Sequence, residues 1–352
     1  MLKNDNSDRK YYITVRIRIP EWISESVEMH LFILSVVYLI EDPEIKFNYK
    51  DEIMRKIWLF GVVLATAALS GCSYWGRCVD GTGPVVEDIR ETGYFTAVKN
   101  TGSFDVYVTR SDDFSVVVRA QESLIPIIET NVSGNTLIVE IQSNTCIRSS
   151  SDVEVHVSMP ETEELALDGS GRVFAEMVSS AEVEISNSGS GYMEIDTIMS
   201  GSLILDNSGS GHIEVIDNFA DLVDLYQSGS GTILAGNIFG AGEVDIRHSS
   251  SGRISAIILD VVELDVIMSG SGRIELSGYG EFAEYSLNSS GRIDAFDMEI
   301  SAVEASNSGS GNIYVWATDL LDASITGSGD IVYMGNPEVT IRDTGSGSVR
   351  PY

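Results

Sequence analysis

The feature that most constrains the fold is a short string, S-G-S-G or a close variant, that recurs ten times at nearly even spacing. Its final glycines are Gly171, Gly191, Gly211, Gly231, Gly252, Gly272, Gly291, Gly311, Gly329 and Gly347, separated by 20, 20, 20, 21, 20, 19, 20, 18 and 18 residues. Such a period marks stacked units, none of which buries its apolar face alone. Aligned on that glycine, the second residue after it is apolar in all ten copies, from Val173, Met193 and Ile213 to Ile331 and Val349. The fourth after it includes Ala175, Ile195, Val215 and Leu276, and the sixth before it includes Leu165, Ile185, Leu205 and Tyr285. Alternation within short segments is the period-two pattern of a half-buried strand, and Gly/Ser turns bend the chain between them. The expected fold class is therefore all-β, a parallel β-solenoid with coils of about 20 residues and an S-G-S-G corner in each. At about 4.8 Å per coil, ten coils make a rod section roughly 48 Å long. A propeller or antiparallel sandwich would need repeats taken two by two to reach blades of about 40 residues, which the evenness of the single period disfavours.

The start of the chain reads differently. Met54-Arg55-Lys56 opens a basic stretch, residues 57–69 are an uncharged apolar run, and Leu69-Ser70-Gly71-Cys72 follows. That order is a secretory signal, and thirteen apolar residues are too few to span a bilayer as a helix. The four residues ending at Cys72 resemble a bacterial lipobox, which implies lipidation of Cys72 and membrane attachment through acyl chains. An export signal belongs at the N-terminus, so residues 1–53 read as an over-extended reading frame. The expected organisation is 1–53 extension, 54–71 lipoprotein signal peptide, 72–84 tether, 85–165 irregular β N-terminal part of the solenoid, and 166–352 regular repeats. Within the irregular part, Phe104, Val106 and Val108 alternate with polar residues, as do Val153, Val155 and Val157, and 122–129 reads as a short helix.

Charge narrows the partners. Lys and Arg total 22 against 53 Asp and Glu, a formal net charge of −31. Nucleic acid is excluded, because phosphate binding needs a basic face. The histidines His30, His156, His212 and His248 are scattered, and the cysteines have no metal-ligand spacing. No cofactor is expected. Beyond Cys72 only Cys78 and Cys146 remain, a possible disulfide in an oxidising compartment, with two buried thiols as the alternative.

G-P-V-V-E-D-I-R-E-T-G-Y-F at 83–95, G-S-F-D-V-Y-V-T at 102–109 and the repeated corners resemble the GIN domain, a family of autotransporter adhesin heads. The resemblance covers about residues 83–349. It implies a β-helical fold and an adhesive or binding role on the bacterial envelope, and it supplies no catalytic residues.

Three groups of side chains are candidates for function. The serine before each aligned glycine, from Ser170 to Ser346, is present in every copy. A nucleophilic serine needs a positioned base and an oxyanion site, and no copy stands out, so these hydroxyls read as a ladder satisfying corner backbone groups. Arg253, Arg273 and Arg292 follow the glycine on three successive coils, with Glu275 and Asp294 two residues beyond the last two. They read as cross-coil ion pairs or as an anionic-ligand patch. The seventh residue before the glycine is acidic in eight of ten copies, Asp224, Asp245, Asp265 and Glu284 among them. That column reads as a solvated face, or as weak Ca²⁺ sites between neighbouring carboxylates. The resulting expectation is a non-enzymatic, adhesin-like envelope lipoprotein, periplasmic or surface-exposed, that binds a glycan, lipid or surface protein. A carbohydrate-active enzyme on acidic polysaccharide and a lipid-binding envelope protein are the alternatives.

Overall fold

A computed structural model of the chain describes residues 77–149 and 151–352. The 1–53 extension, the 54–71 signal and Cys72 lie outside the described residues. From Glu164 onward the strands form a parallel β-solenoid in which each residue faces its equivalent one repeat away. Val173 pairs with Met193, Met193 with Ile213 and Ile213 with Ile233. The three aligned apolar columns point inward as the repeat predicts: Ile213, Ile233, Ile254 and Ile274 have no accessible surface, and neither do Ile185, Leu205 and Leu225. Each side chain of this size taken from water stabilises the stack by about 1.5–3 kcal/mol before entropy is counted. The final coil is the exception. Among the described residues no strand pairs with its far side, and Ile341 is 51% exposed.

One coil shows the geometry. Between Gly191 and Gly211 the inward residues are Met193 and Ile195, then Ile198, then Leu203, Leu205 and Asn207. The irregular gaps between these groups are bends, so each coil has three sides: a first at 192–195, a second at 197–200 and a third at 202–207. The strand Tyr192–Asn207 runs through all three, paired to the next coil almost throughout. The second side is the one that the period-two pattern does not show, because only one inward column runs through it from coil to coil, with a second buried residue in some coils only, such as Ala220, Val261 and Ile300. Its column runs Val178, Ile198, Asn218, Ile238 and Ile258. Asn218 is buried there without a hydrogen-bond partner, between two isoleucines.

The corners are close-packed backbone. A Cβ on Gly189, Gly209 or Gly229 would sit 1.8–2.0 Å from the carbonyl oxygen of the matching glycine one coil earlier. Glycine recurs here because the next coil occupies the space a side chain would need, and not because these positions take a left-handed conformation.

The N-terminal end is built out of sequence order. Ala97–Asn100 pairs with 164–167 on one side and with 136–139 on the other. Asp105–Arg110 likewise lies between Arg172–Ser179 and Glu154–Met159. The chain thus lays down the second coil first, then the outermost one, and returns across both into the regular stack. Antiparallel strands cover the outer edge: Ile128–Ser133 on Thr136–Ile141, Ser115–Gln121 on Glu154–Met159, and Val85–Arg90 on Ser115–Gln121. An open edge would otherwise offer unpaired backbone to another chain. In place of the expected short helix at 122–129 there is only a 3₁₀ turn, Ile125–Ile127, with Pro126 inside it. Arg77–Asp80 pairs in parallel with Thr145–Arg148, which sets Cys78 opposite Cys146 at a Cα separation of 4.3 Å, and their sulfurs are bonded.

Candidate functional site

The corner that glycine keeps narrow turns its serines outward. Ser170, Ser190, Ser210, Ser230, Ser251, Ser271 and Ser290 are all exposed and stand one above another. They do not serve the corner backbone, as the sequence suggested. Side chains four residues before the glycine do that from inside. Asn187 accepts from the amide of Gly189 (3.0 Å) and donates to the carbonyls of Gly191 (3.0 Å) and His212 (3.3 Å). Asn307 repeats this with Gly309, Gly311 and Asp330, and Asn100 with Gly102, Phe104 and Arg172. Gln227 and His248 fill the same column, and burial holds the His248 imidazole below its ordinary pKa, hence neutral. With the backbone satisfied from within, the outer hydroxyls are left to each other or to a ligand. Ser230 and Ser251 lie 3.4 Å apart, and Ser271 and Ser290 3.2 Å.

Beside the serines runs the residue that follows each glycine. Together the two columns line a shallow groove. One stretch, of about 340 Å³, is lined by Ser170 to Thr232 and includes Arg172, Tyr192 and His212. The next, of about 410 Å³, shares Ser230 and Thr232 with it and ends at Arg292. The groove therefore follows seven coils. Tyr192 and His212 stack at 5.1 Å, and burial, followed by the hydrogen bond that Tyr192 donates to Glu214, raises the phenol pKa.

The structure brings Arg253, Arg273 and Arg292 into direct register at the far end of the groove. Glu275 takes Arg273 at 3.0 Å and Arg253 at 3.6 Å, and Asp294 takes Arg292 at 2.5 Å. Arg292 also lies 3.9 Å from the centre of the Tyr314 ring. Three guanidinium groups thus share two carboxylates, and about half of each of Arg253 and Arg273 faces solvent. Ion pairing and a residual positive site coexist here. Among the described residues no serine hydroxyl is hydrogen-bonded to a histidine, so the groove shows no nucleophile–base pair.

The family described as "Putative auto-transporter adhesin, head GIN domain" matches residues 94–257 and again 220–337. The chain belongs to the GIN-domain family. Its two overlapping matches together take in most of the regular stack and part of the cap. Three crystal structures similar to this GIN chain are a "putative adhesin" from Parabacteroides distasonis (22% identity, TM-score 0.48), a "putative adhesin" from Parabacteroides merdae (20%, 0.45) and a "putative lipid binding protein" from P. distasonis (25%, 0.42). Each alignment covers 78% of this chain and 99–100% of the other. No curated protein matches. The family is named for adhesion and not for a reaction, and an adhesin head is an extracellular or envelope module. Among the described residues no helix is long and apolar enough to cross a membrane.

On the third side of the GIN solenoid the acidic column stands in register. Asp224 pairs with Asp245, Asp245 with Asp265, Asp265 with Glu284 and Glu284 with Glu304. Partial burial and then the neighbouring carboxylates raise the pKa values of Asp265 and Glu284. Among the described residues no three His, Cys, Asp or Glu side chains converge as metal ligands, so the column offers neighbouring pairs only. A carboxyl whose folded pKa is raised holds its proton more readily when folded, so its contribution to stability rises as pH falls through the folded pKa. Replacing Asp265 by Asn and Glu284 by Gln should therefore stabilise the protein at pH 7, by about 0.5–2 kcal/mol in total. The gain should shrink as pH falls through the raised pKa values of these carboxyls, where wild type neutralises itself. Thermal melts at pH 7 and across the acid range check this. Bound Ca²⁺ between the carboxylates would reverse the sign at pH 7.

Proposed function

We propose that this GIN-domain chain is an envelope lipoprotein, held to the membrane through Cys72, whose solenoid binds an anionic ligand along the serine-lined groove. The observation that carries the reading is the residual positive charge of the Arg253, Arg273 and Arg292 row beside the exposed serine hydroxyls of the corner column. Guanidinium groups grip carboxylate and sulfate with paired hydrogen bonds, and a column of hydroxyls suits a polymer rich in hydroxyl groups. The groove is open along its length, which favours an extended chain over a small molecule that must be enclosed. The acidic remainder of the surface keeps anions off the other faces, so the ligand is directed to this row.

An array of neutral, uronic-acid and sulfated oligosaccharides tests the ligand class with the purified protein. Anionic glycans should bind, and the triple variant Arg253→Gln, Arg273→Gln, Arg292→Gln should weaken them about tenfold or more, that is about 1.4 kcal/mol. Equal capture of neutral glycans, or undiminished binding by a folded triple variant, would sink this assignment. For the anchor, Cys72→Ala should move the protein from the membrane to the soluble fraction with loss of acyl mass. An unchanged partition would refute lipidation at Cys72.

A further inference from the structure

The second side of the solenoid carries an outward column unlike the others. Met199 pairs in register with Phe219, Phe239 with Leu259 and Leu259 with Tyr279. The Phe219 and Phe239 rings stack 4.8 Å apart. Five consecutive coils thus present an unbroken apolar stripe. Met199, Phe219 and Tyr279 are 48%, 45% and 51% exposed, which is open surface and not core. The stripe has definite ends, since the same column holds Ser179 one coil before it and Glu299 one coil after it. Four steps of about 4.8 Å give a length of roughly 19 Å. That is the rise of about 13 residues of α-helix.

One margin of the stripe is acidic. Just beyond the stripe stand the exposed Asp221, Asp260 and Glu281. On the other margin, two residues earlier in the strand, the column runs Thr197, Asp217, Asn237, Ile257 and Ser277, so Asp217 is its one carboxylate. Among the described residues none of these four acids is in an ion pair with Lys or Arg. The sequence holds no Lys or Arg at all from 173 to 246. The result is an apolar band with an uncompensated row of carboxylates along one margin.

This charge pattern selects the occupant. An anionic lipid surface would be repelled, and so would a second copy presenting the same face. An extended peptide adds to a sheet through a free backbone edge, but each strand here is already paired on both sides. We infer that the stripe docks a basic amphipathic helix of a partner protein. Apolar residues spaced three and four apart lie on Met199 to Tyr279, and Lys or Arg side chains along one flank reach the row of Asp221, Asp260 and Glu281. The site is on a different side from the anionic-ligand groove and selects the opposite charge, so the two readings stand or fall separately.

The test titrates the full chain with a fluorescent amphipathic Leu/Lys peptide of about 14 residues, alongside a scrambled peptide of identical composition. The amphipathic peptide should bind at least tenfold more tightly than its scramble and gain helicity on binding. The double variant Phe219→Ser, Tyr279→Ser, altered at exposed positions, should lose at least tenfold in affinity. The variant Asp221→Asn, Asp260→Asn, Glu281→Gln, which leaves the apolar residues intact, should also bind more weakly while melting like wild type. Equal binding of peptide and scramble, or wild-type affinity in both variants, overturns the proposal. So does capture of anionic vesicles, or self-association in sedimentation, that the Phe219→Ser, Tyr279→Ser variant abolishes.

Discussion

Gly229→Ala should unfold the middle of the solenoid, while Gly242→Ala, thirteen residues on, should leave it intact. A Cβ on Gly229 would lie 1.8 Å from the carbonyl oxygen of Gly209 and 2.5 Å from that of Ser208. Both obstacles are backbone, so no side chain can swing away. The coil spacing is itself fixed by corner hydrogen bonds, from the amides of Ser228 and Gly229 to the Asn207 carbonyl and from Gly231 to Gly209, at 3.2–3.3 Å. Making room for a methyl group means breaking these bonds at the corner. A loss of about 4 kcal/mol or more is expected, the range reserved for mutations with a specific structural conflict. For a chain of this size that lowers Tm by about 10 °C. At Gly242 the nearest atom to a new Cβ is the Asp221 carbonyl oxygen at 3.5 Å, an ordinary contact, and the backbone is not left-handed. Alanine there should change stability by about 1 kcal/mol at most, and in the favourable direction if the gain in the unfolded state prevails. Differential scanning calorimetry of the two variants separates close packing at the corner from a general intolerance of alanine for glycine. Similar melts for both would show that the S-G-S-G string is kept for another reason.

The solenoid was legible because its determinants are local and repeated. An apolar residue two places after a corner glycine carries the same meaning ten times, and errors at one coil are corrected by the others. The second side was not legible for the converse reason. Asn218 and Gly278 interrupt its main inward column, and a second inward residue comes only in some coils, at Ala220, Val261 and Ile300, so no steady alternation announces it. The buried column of Asn187, Asn207, Gln227 and His248 was written in the sequence but reads as surface, since asparagine next to Ser-Gly is ordinary turn chemistry. Only the closed geometry of the corner shows that these amides point inward and replace the serines as partners of the backbone. The cap resisted reading altogether. Nothing local in residues 97–110 says that they pair with 164–175 on one side and with 136–159 on the other, because that choice is made by contacts distant in sequence. For the site, the arginine row followed from the spacing alone. The apolar stripe did not, since Met199, Phe219, Phe239, Leu259 and Tyr279 sit among other apolar residues, and which of them face outward depends on the bend that precedes them.

Ile254→Asp should be among the most damaging single changes available, and Ile257→Asp, three residues along the same strand, should be nearly silent. Ile254 has no accessible surface and lies between Ile233 and Ile274 in the first inward column. An aspartate there meets only apolar neighbours. It must either lose its charge, at the cost of a strongly raised pKa, or bring water into the stack. Either course costs about 4 kcal/mol or more, lost packing included. Ile257 faces outward, 42% exposed, with Asn237 and Ser277 as its neighbours in the stack. The carboxylate stays hydrated there, and a change of about 0.5 kcal/mol is expected. The spatial reach of the damage is as informative as its size. Coils in a solenoid touch only their neighbours, so stability is close to a sum of coil and interface contributions. Hydrogen exchange on Ile254→Asp should therefore show protection lost first around 233–235 and 274–276. The cap at 85–159, with its own antiparallel strands and the buried Phe95 and Leu124, should remain protected. Uniform loss across cap and stack would mean that the whole chain folds as one cooperative block, and that the long-range pairing of 97–110 couples the cap to every coil beyond it.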